Sequence, residues 1–143
     1  MVYFRYLVVV LLVVSCTAIQ EQNDVNDYTD ETLINNADLP EITFDKLEHD
    51  FGRIMQGEKV GYVFRYTNTG SSNLIVRKAN ASCGCTVPKF SKEPVPPSGA
   101  GTLEVIFDSS GRRGLQSKTI TINSNAMNNV MVLTVKAEII VEE

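Results

Sequence analysis

The sequence has no tryptophan, a single histidine, and no apolar run near the ~20 residues that cross a bilayer as a helix. Each absence excludes something. With His49 alone and no serine in a recognised elbow, a nucleophile, base and orienting group cannot be assembled, so no enzyme is expected. Basic charge is also scarce: the formal net charge is -4, which sets up no field that would recruit a polyanion, and nucleic acid is not an expected partner. What is present is ordinary. A chain of 143 residues that is 43% hydrophobic and 21% charged is globular in type, and long enough for one domain plus a targeting segment.

The targeting segment comes first. Arg5 is the only charge in the first twenty residues, and it precedes Leu7 to Val14, a run of Leu and Val alone, followed by Ser15 and Cys16. A positive start, a short apolar stretch and a small residue before the cut make residues 1–15 a signal peptide, excluded from the fold. Val13-Val14-Ser15-Cys16 resembles a bacterial lipobox, whose cysteine becomes the acylated first residue of the mature chain. Cys16 is then a lipid anchor, and several buried acyl chains, at about 0.8 kcal/mol per methylene, give stable membrane attachment. Thr17 stands where inner-membrane retention favours Asp, so the expected address is the outer membrane. A plain signal peptide with an ordinary free cysteine is the alternative.

Residues 17–41 hold seven Asp and Glu and no Lys or Arg. So polar a stretch buries too little apolar surface to offset its conformational entropy, and residues 16–41 are expected to be a flexible tether. They lack the spacing of a calcium loop. Residues 42–143, the expected domain, carry twelve Lys and Arg against ten Asp and Glu.

Helical stripes are missing from residue 42 onward, where the period is two. Val60, Tyr62, Phe64 and Tyr66 alternate with Gly61, Val63, Arg65 and Thr67 before Asn68-Thr69-Gly70-Ser71 breaks the run. The same alternation covers 102–108, 119–122 and 133–138, and short strands are expected at 42–46, 48–51, 74–80 and 85–90. Seven or eight strands in about a hundred residues imply two antiparallel sheets packed face to face, with a small closed barrel as competitor. Pro94, Pro96 and Pro97 are expected to mark a crossover between sheets. Gly111-Arg112-Arg113-Gly114 is expected to be a hairpin turn; it spells a nucleotide-clamping loop without the helices that loop needs. Asp50-Phe51-Gly52 likewise spells a kinase triplet without its companions.

The sharpest motif is Ser82-Cys83-Gly84-Cys85-Thr86. Fully extended, the two cysteines would lie about 6.6 Å apart, whereas a disulfide wants Cβ atoms near ~3.8 Å, so the bond needs Gly84 to fold the pair together. Three alternatives stay open: a local disulfide, favoured by an oxidising compartment; a soft-metal site for Cu or Zn with His49 or Met55 as third donor; and free or intermolecularly paired thiols. Thioredoxin-like exchange uses C-x-x-C at a helix start, which is not found.

His49-Asp50-Phe51-Gly52, the aromatic strand ending Asn68-Thr69-Gly70, Ser82-Cys83-Gly84-Cys85-Thr86, Pro97-Ser98-Gly99 and Phe107-Asp108 together resemble an uncharacterised family of bacterial envelope domains. The resemblance spans roughly residues 42–141. That family is similar to the immunoglobulin-like domains of the Hydin and major-sperm-protein superfamily, which implies an all-β immunoglobulin-like sandwich and no established catalytic role for Cys83 or Cys85. The expectation is a lipid-anchored, non-enzymatic binding or scaffold module that offers loops and a sheet edge to a protein or glycan partner. The rival is a thiol or soft-metal accessory protein built on Cys83 and Cys85.

Overall fold

The computed structural model describes residues 38–142. The signal segment 1–15, the acylated Cys16 and the tether as far as residue 37 lie outside the described residues.

Among the described residues eight strands follow one another: β1 (Ile42–Phe44), β2 (Glu48–Met55), β3 (Lys59–Asn68), β4 (Val76–Ala81), β5 (Thr86–Phe90), β6 (Ala100–Asp108), β7 (Gly114–Ser124) and β8 (Val130–Ile140). They form two four-stranded sheets, β1-β3-β6-β5 (sheet A) and β2-β8-β7-β4 (sheet B). The period-two pattern is the cause. On β3, Phe64 and Tyr66 point inward between exposed Val63 and Arg65; on β8, Leu133, Val135, Ala137 and Ile139 are buried between outward neighbours. Inward residues also meet across the ladders, Phe64 opposite Leu103 and Ile120 opposite Leu133.

Both sheets contribute to one main core, in which Phe64, Leu103 and Val105 of sheet A meet Ile120, Ile122 and Leu133 of sheet B. Each of these buried side chains stabilises the fold by roughly 2 kcal/mol. A smaller cluster of Ile54, Cys85, Phe107, Ala137 and Ile139 adjoins Phe51, Val60 and Cys83.

Three connections differ from expectation. β2 pairs with β8 in parallel, so the sandwich is not wholly antiparallel. The chain can place them so because β3 to β7 intervene, a connection long enough to return in the same direction. Pro94, Pro96 and Pro97 join β5 to β6 within sheet A and are not a crossover. Val95 there bridges to Leu74, with amide-carbonyl bonds of 2.8 and 2.9 Å, so the segment leans across to sheet B and returns. Conversely, Gly111 to Gly114 is a crossover and not a hairpin, because β6 and β7 belong to different sheets. Gly111 and Gly114 adopt φ of 68° and 66°, which lets the chain turn that corner.

The last residues of the expected tether are fastened to the domain. Leu39, Pro40 and Glu41 accept backbone bonds from Ser71, Met127 and Thr69.

Candidate functional site

Cys83 and Cys85 occupy the corner where the chain leaves β4, at one edge of sheet B, for β5, at one edge of sheet A. A turn closes there, with Thr86 N–H donating to Cys83 C=O at 3.3 Å. Folding of the backbone brings the two Cα atoms to 5.4 Å, and the sulfurs are joined in a disulfide. Gly84 at the tip has open space around it, with no atom within 4 Å of where a Cβ would stand.

The other candidate donors sit elsewhere on β2. His49 stacks on Tyr62, with ring centroids 3.6 Å apart, and meets Phe51 edge-on at 4.7 Å. Partial burial between these rings, together with the Lys46 charge, lowers the imidazole pKa below its ordinary value, against an opposing pull from Asp50. Met55 lies at the β2–β3 turn, where its N–H donates to Glu58 Oε2 at 2.9 Å and its carbonyl accepts from Ser109 Oγ at 2.9 Å. Among the described residues no three His, Cys, Asp or Glu side chains gather as a metal-holding group, and neither His49 nor Met55 is brought to the sulfurs.

The four sheet edges are all blunted. Strand β1 is three residues long, and Asn128 occupies its outer side, accepting from Ile42 N–H at 3.1 Å and donating to Ile42 C=O at 2.7 Å. On β5, Asp108 N–H bonds to Cys85 C=O; bonded pairs alternate from there, so Pro88 turns its missing donor to the free edge. Strand β4 carries an irregularity between Val76 and Lys78 with exposed Arg77 and Lys78 beside it, and β2 has one between Asp50 and Arg53 around Gly52, at φ 69°. Bulges, basic side chains and proline on an edge oppose pairing with another strand. The basic pair Arg77-Lys78 thus has a place in the fold that its sequence does not show.

The faces are more open. On the outer side of sheet A, Val87 stands opposite Ile106, which stands opposite Gly61, and Val63 follows two residues along β3. Val63 and Val87 are 44% and 50% exposed. Ion pairs Lys59–Asp108 (3.0 Å) and Lys89–Glu104 (3.6 Å) flank this stripe. On sheet B an open hollow of about 330 Å³ lies among Asp50, Arg53, Leu115, Lys136 and Glu138, whose charges are largely paired, Lys136 with Glu48 and Arg53 with Glu138.

Sequence reasoning takes Asn68 only as the start of a turn, whereas the side chain is fully buried. Its Nδ2 donates to Ser72 C=O at 2.7 Å and Val95 C=O at 2.9 Å, and its Oδ1 accepts from Gly70 N–H at 3.1 Å. Asn125 plays a similar part, accepting from Ile75 N–H at 2.6 Å and donating to Asn73 C=O at 2.9 Å. Their signal in the sequence, an asparagine at a strand end, is shared with any turn.

Comparison with solved structures gives the same fold at low identity. A protein of unknown function from Porphyromonas gingivalis W83 superposes with a TM-score of 0.64 at 17% identity, covering 76% of this chain and 51% of that one, so the chain spans about half its length. PapD-like domain 7 of human CEP192 gives 0.60 at 8% identity over 73% of this chain and 89% of that one. SSP-19, an MSP-domain-like protein of Caenorhabditis elegans, gives 0.52 at 12% identity over 67% and 98%. The sequence finds no match among curated proteins. The likeness shows the fold, an immunoglobulin-like sandwich similar to those of PapD-like and MSP domains. A family model matches residues 42–139, every strand but the end of β8, and by that match the chain belongs to the DUF1573 family, proteins of unknown function.

Proposed function

We propose that this chain is a lipid-anchored, non-catalytic binding or scaffold module of the bacterial cell envelope, held at the outer membrane through Cys16, and that it meets a protein or glycan partner with the outer face of sheet A. The observation that carries the binding reading is the group of Val87, Ile106 and Val63 on that face, in which Val87 and Val63 are about half-exposed and Ile106 partly so, on a domain whose sheet edges are blunted. A blunted edge disfavours strand addition, which leaves faces and loops for recognition. Support for the address comes from the Leu and Val run with its lipobox-like end, and from a disulfide, a bond that persists in oxidising compartments.

Two measurements test it. The intact mass of the native protein should show cleavage before Cys16 and added acyl chains; an unacylated amino terminus removes the anchor. Photocrosslinkers placed at Val63 or Val87 in living cells should give a discrete adduct that one at Asn80, on the outer side of sheet B, does not. Equal labelling from all three positions removes the sheet A face.

A further inference from the structure

The two sulfurs of the Cys83–Cys85 bridge stand in different surroundings. Cys85 is 9% exposed and packs in the small apolar cluster with Ile54, Phe107 and Ala137, whereas Cys83 lies at the partly open rim of that cluster. Beside Cys83, exposed Gly84 leaves the solvent side of the turn clear. Thr86, itself 4% exposed, holds its Oγ1 at 3.6 Å from Cys83 Sγ and 3.8 Å from Cys85 Sγ. Bridged sulfurs carry no proton, so the Thr86 hydroxyl is the donor, and its single proton goes to one sulfur or the other.

We propose that this corner is a thiol–disulfide exchange site for small thiols, with Cys83 as the sulfur attacked and Cys85 as the leaving sulfur. It stands independently of the binding reading above. A small thiolate adds to Cys83 Sγ as the Cys83–Cys85 bond breaks; the electron pair goes to Cys85, whose thiolate takes the Thr86 Oγ1–H bond and then a proton from solvent. A second small thiolate attacks the sulfur of the first, releasing Cys83 as a thiol. Two thiols are thereby oxidised to a disulfide and the protein bridge is reduced by two electrons. Burial directs the sequence, because attack needs a path to the sulfur and only Cys83 offers one. The ligand class is a small unhindered thiol, of the size of glutathione or free cysteine.

The test uses the full chain. With oxidised glutathione as probe, Cys85→Ser, which leaves Cys83, should form the mixed disulfide at least ~10-fold faster than Cys83→Ser, which leaves buried Cys85. Equal rates, or the reverse order, overturn the proposal. Either variant can be unsound in fold, so the native sequence supplies a second measurement. After mild reduction and a brief pulse of iodoacetamide, fragmentation of the tryptic peptide 79–89, which excludes Cys16, should place the label on Cys83 first. Label on Cys85 first, or a bridge that millimolar thiol opens only in denaturant, also overturns it. Thr86→Val keeps the shape and removes the donor, and should slow reduction by glutathione about fivefold, the worth of one hydrogen bond. An unchanged rate removes Thr86 from the step.

Discussion

The ring of Tyr66 lies across Gly101, its partner in the β3–β6 register, so closely that a Cβ at Gly101 would collide with the ring. Tyr66 is buried, and burial raises the pKa of its phenol. The glycine is required here for space, since an aromatic side chain covers the gap that a small residue leaves in the ladder. Gly101→Ala should destabilise the domain by about 1 to 3 kcal/mol, the usual cost of overpacking. Chemical denaturation checks this, and Tyr66→Leu in the same chain should recover part of the loss.

Asn68 ties the β3–β4 loop to the β5–β6 loop through its side chain alone, so its removal should act beyond one strand. Asn68→Ala leaves the Ser72 carbonyl and the Gly70 amide without that partner, while the Val95 carbonyl keeps only Leu74 N–H. The expected loss is about 3 kcal/mol, with amide hydrogen exchange speeding up at Gly70, Leu74 and Gly99 before the β7–β8 ladder changes. Uniform loss of protection over the whole domain would contradict a local role.

Ser98 adopts φ of 62° in the Pro96–Gly99 turn, closed by Gly99 N–H to Pro96 C=O at 2.9 Å. That left-handed conformation is the one glycine occupies at no steric cost. Ser98→Gly should raise stability by about 1 kcal/mol, or roughly 4–8 °C in melting temperature for a domain of this size. A drop in melting temperature would refute it.

Acid should weaken the fold in two separate windows. His49 has a pKa below its ordinary 6.5 in the folded chain, so folding favours the neutral ring; its contribution is whole above pH 6.5 and is lost as pH falls through the folded value. His49→Phe should flatten the denaturation midpoint between pH 7 and pH 5. The Asp108 carboxyl is held down to about 2 by hydrogen bonds from the Ser110 side chain and backbone and by Lys59, so its contribution is present above its ordinary 3.8 and goes as pH falls toward 2. The Asp108 side chain is about a third exposed, so salt should screen the Lys59 part.

The strands were legible because alternation is local: one face of Val60 to Tyr66 is apolar and the other is not, whatever lies across from it. The disulfide stayed one of three alternatives, since whether Gly84 folds back depends on the corner formed by β4 and β5. Pairing direction was illegible for β2 and β8, because nothing within Glu48 to Met55 states which strand flanks it. The proline segment and Gly111 to Gly114 were misplaced for a related reason: Pro and Gly stop a strand without saying to which sheet the next one belongs. Asn68 reads as part of a turn and Asn125 and Asn128 carry no pattern at all, because their work lies in bonds to backbone that is distant in sequence, such as Asn128 to Ile42.

Parallel pairing of β2 with β8 brings an early strand and the last one side by side with the same heading. A pull applied between the two chain ends, once short β1 has peeled away, drags these strands past each other along their length. Their ladder then bears the force in shear, all bonds together, instead of opening one bond at a time as a hairpin would. Such a layout suits a module that has to hold its shape under tension.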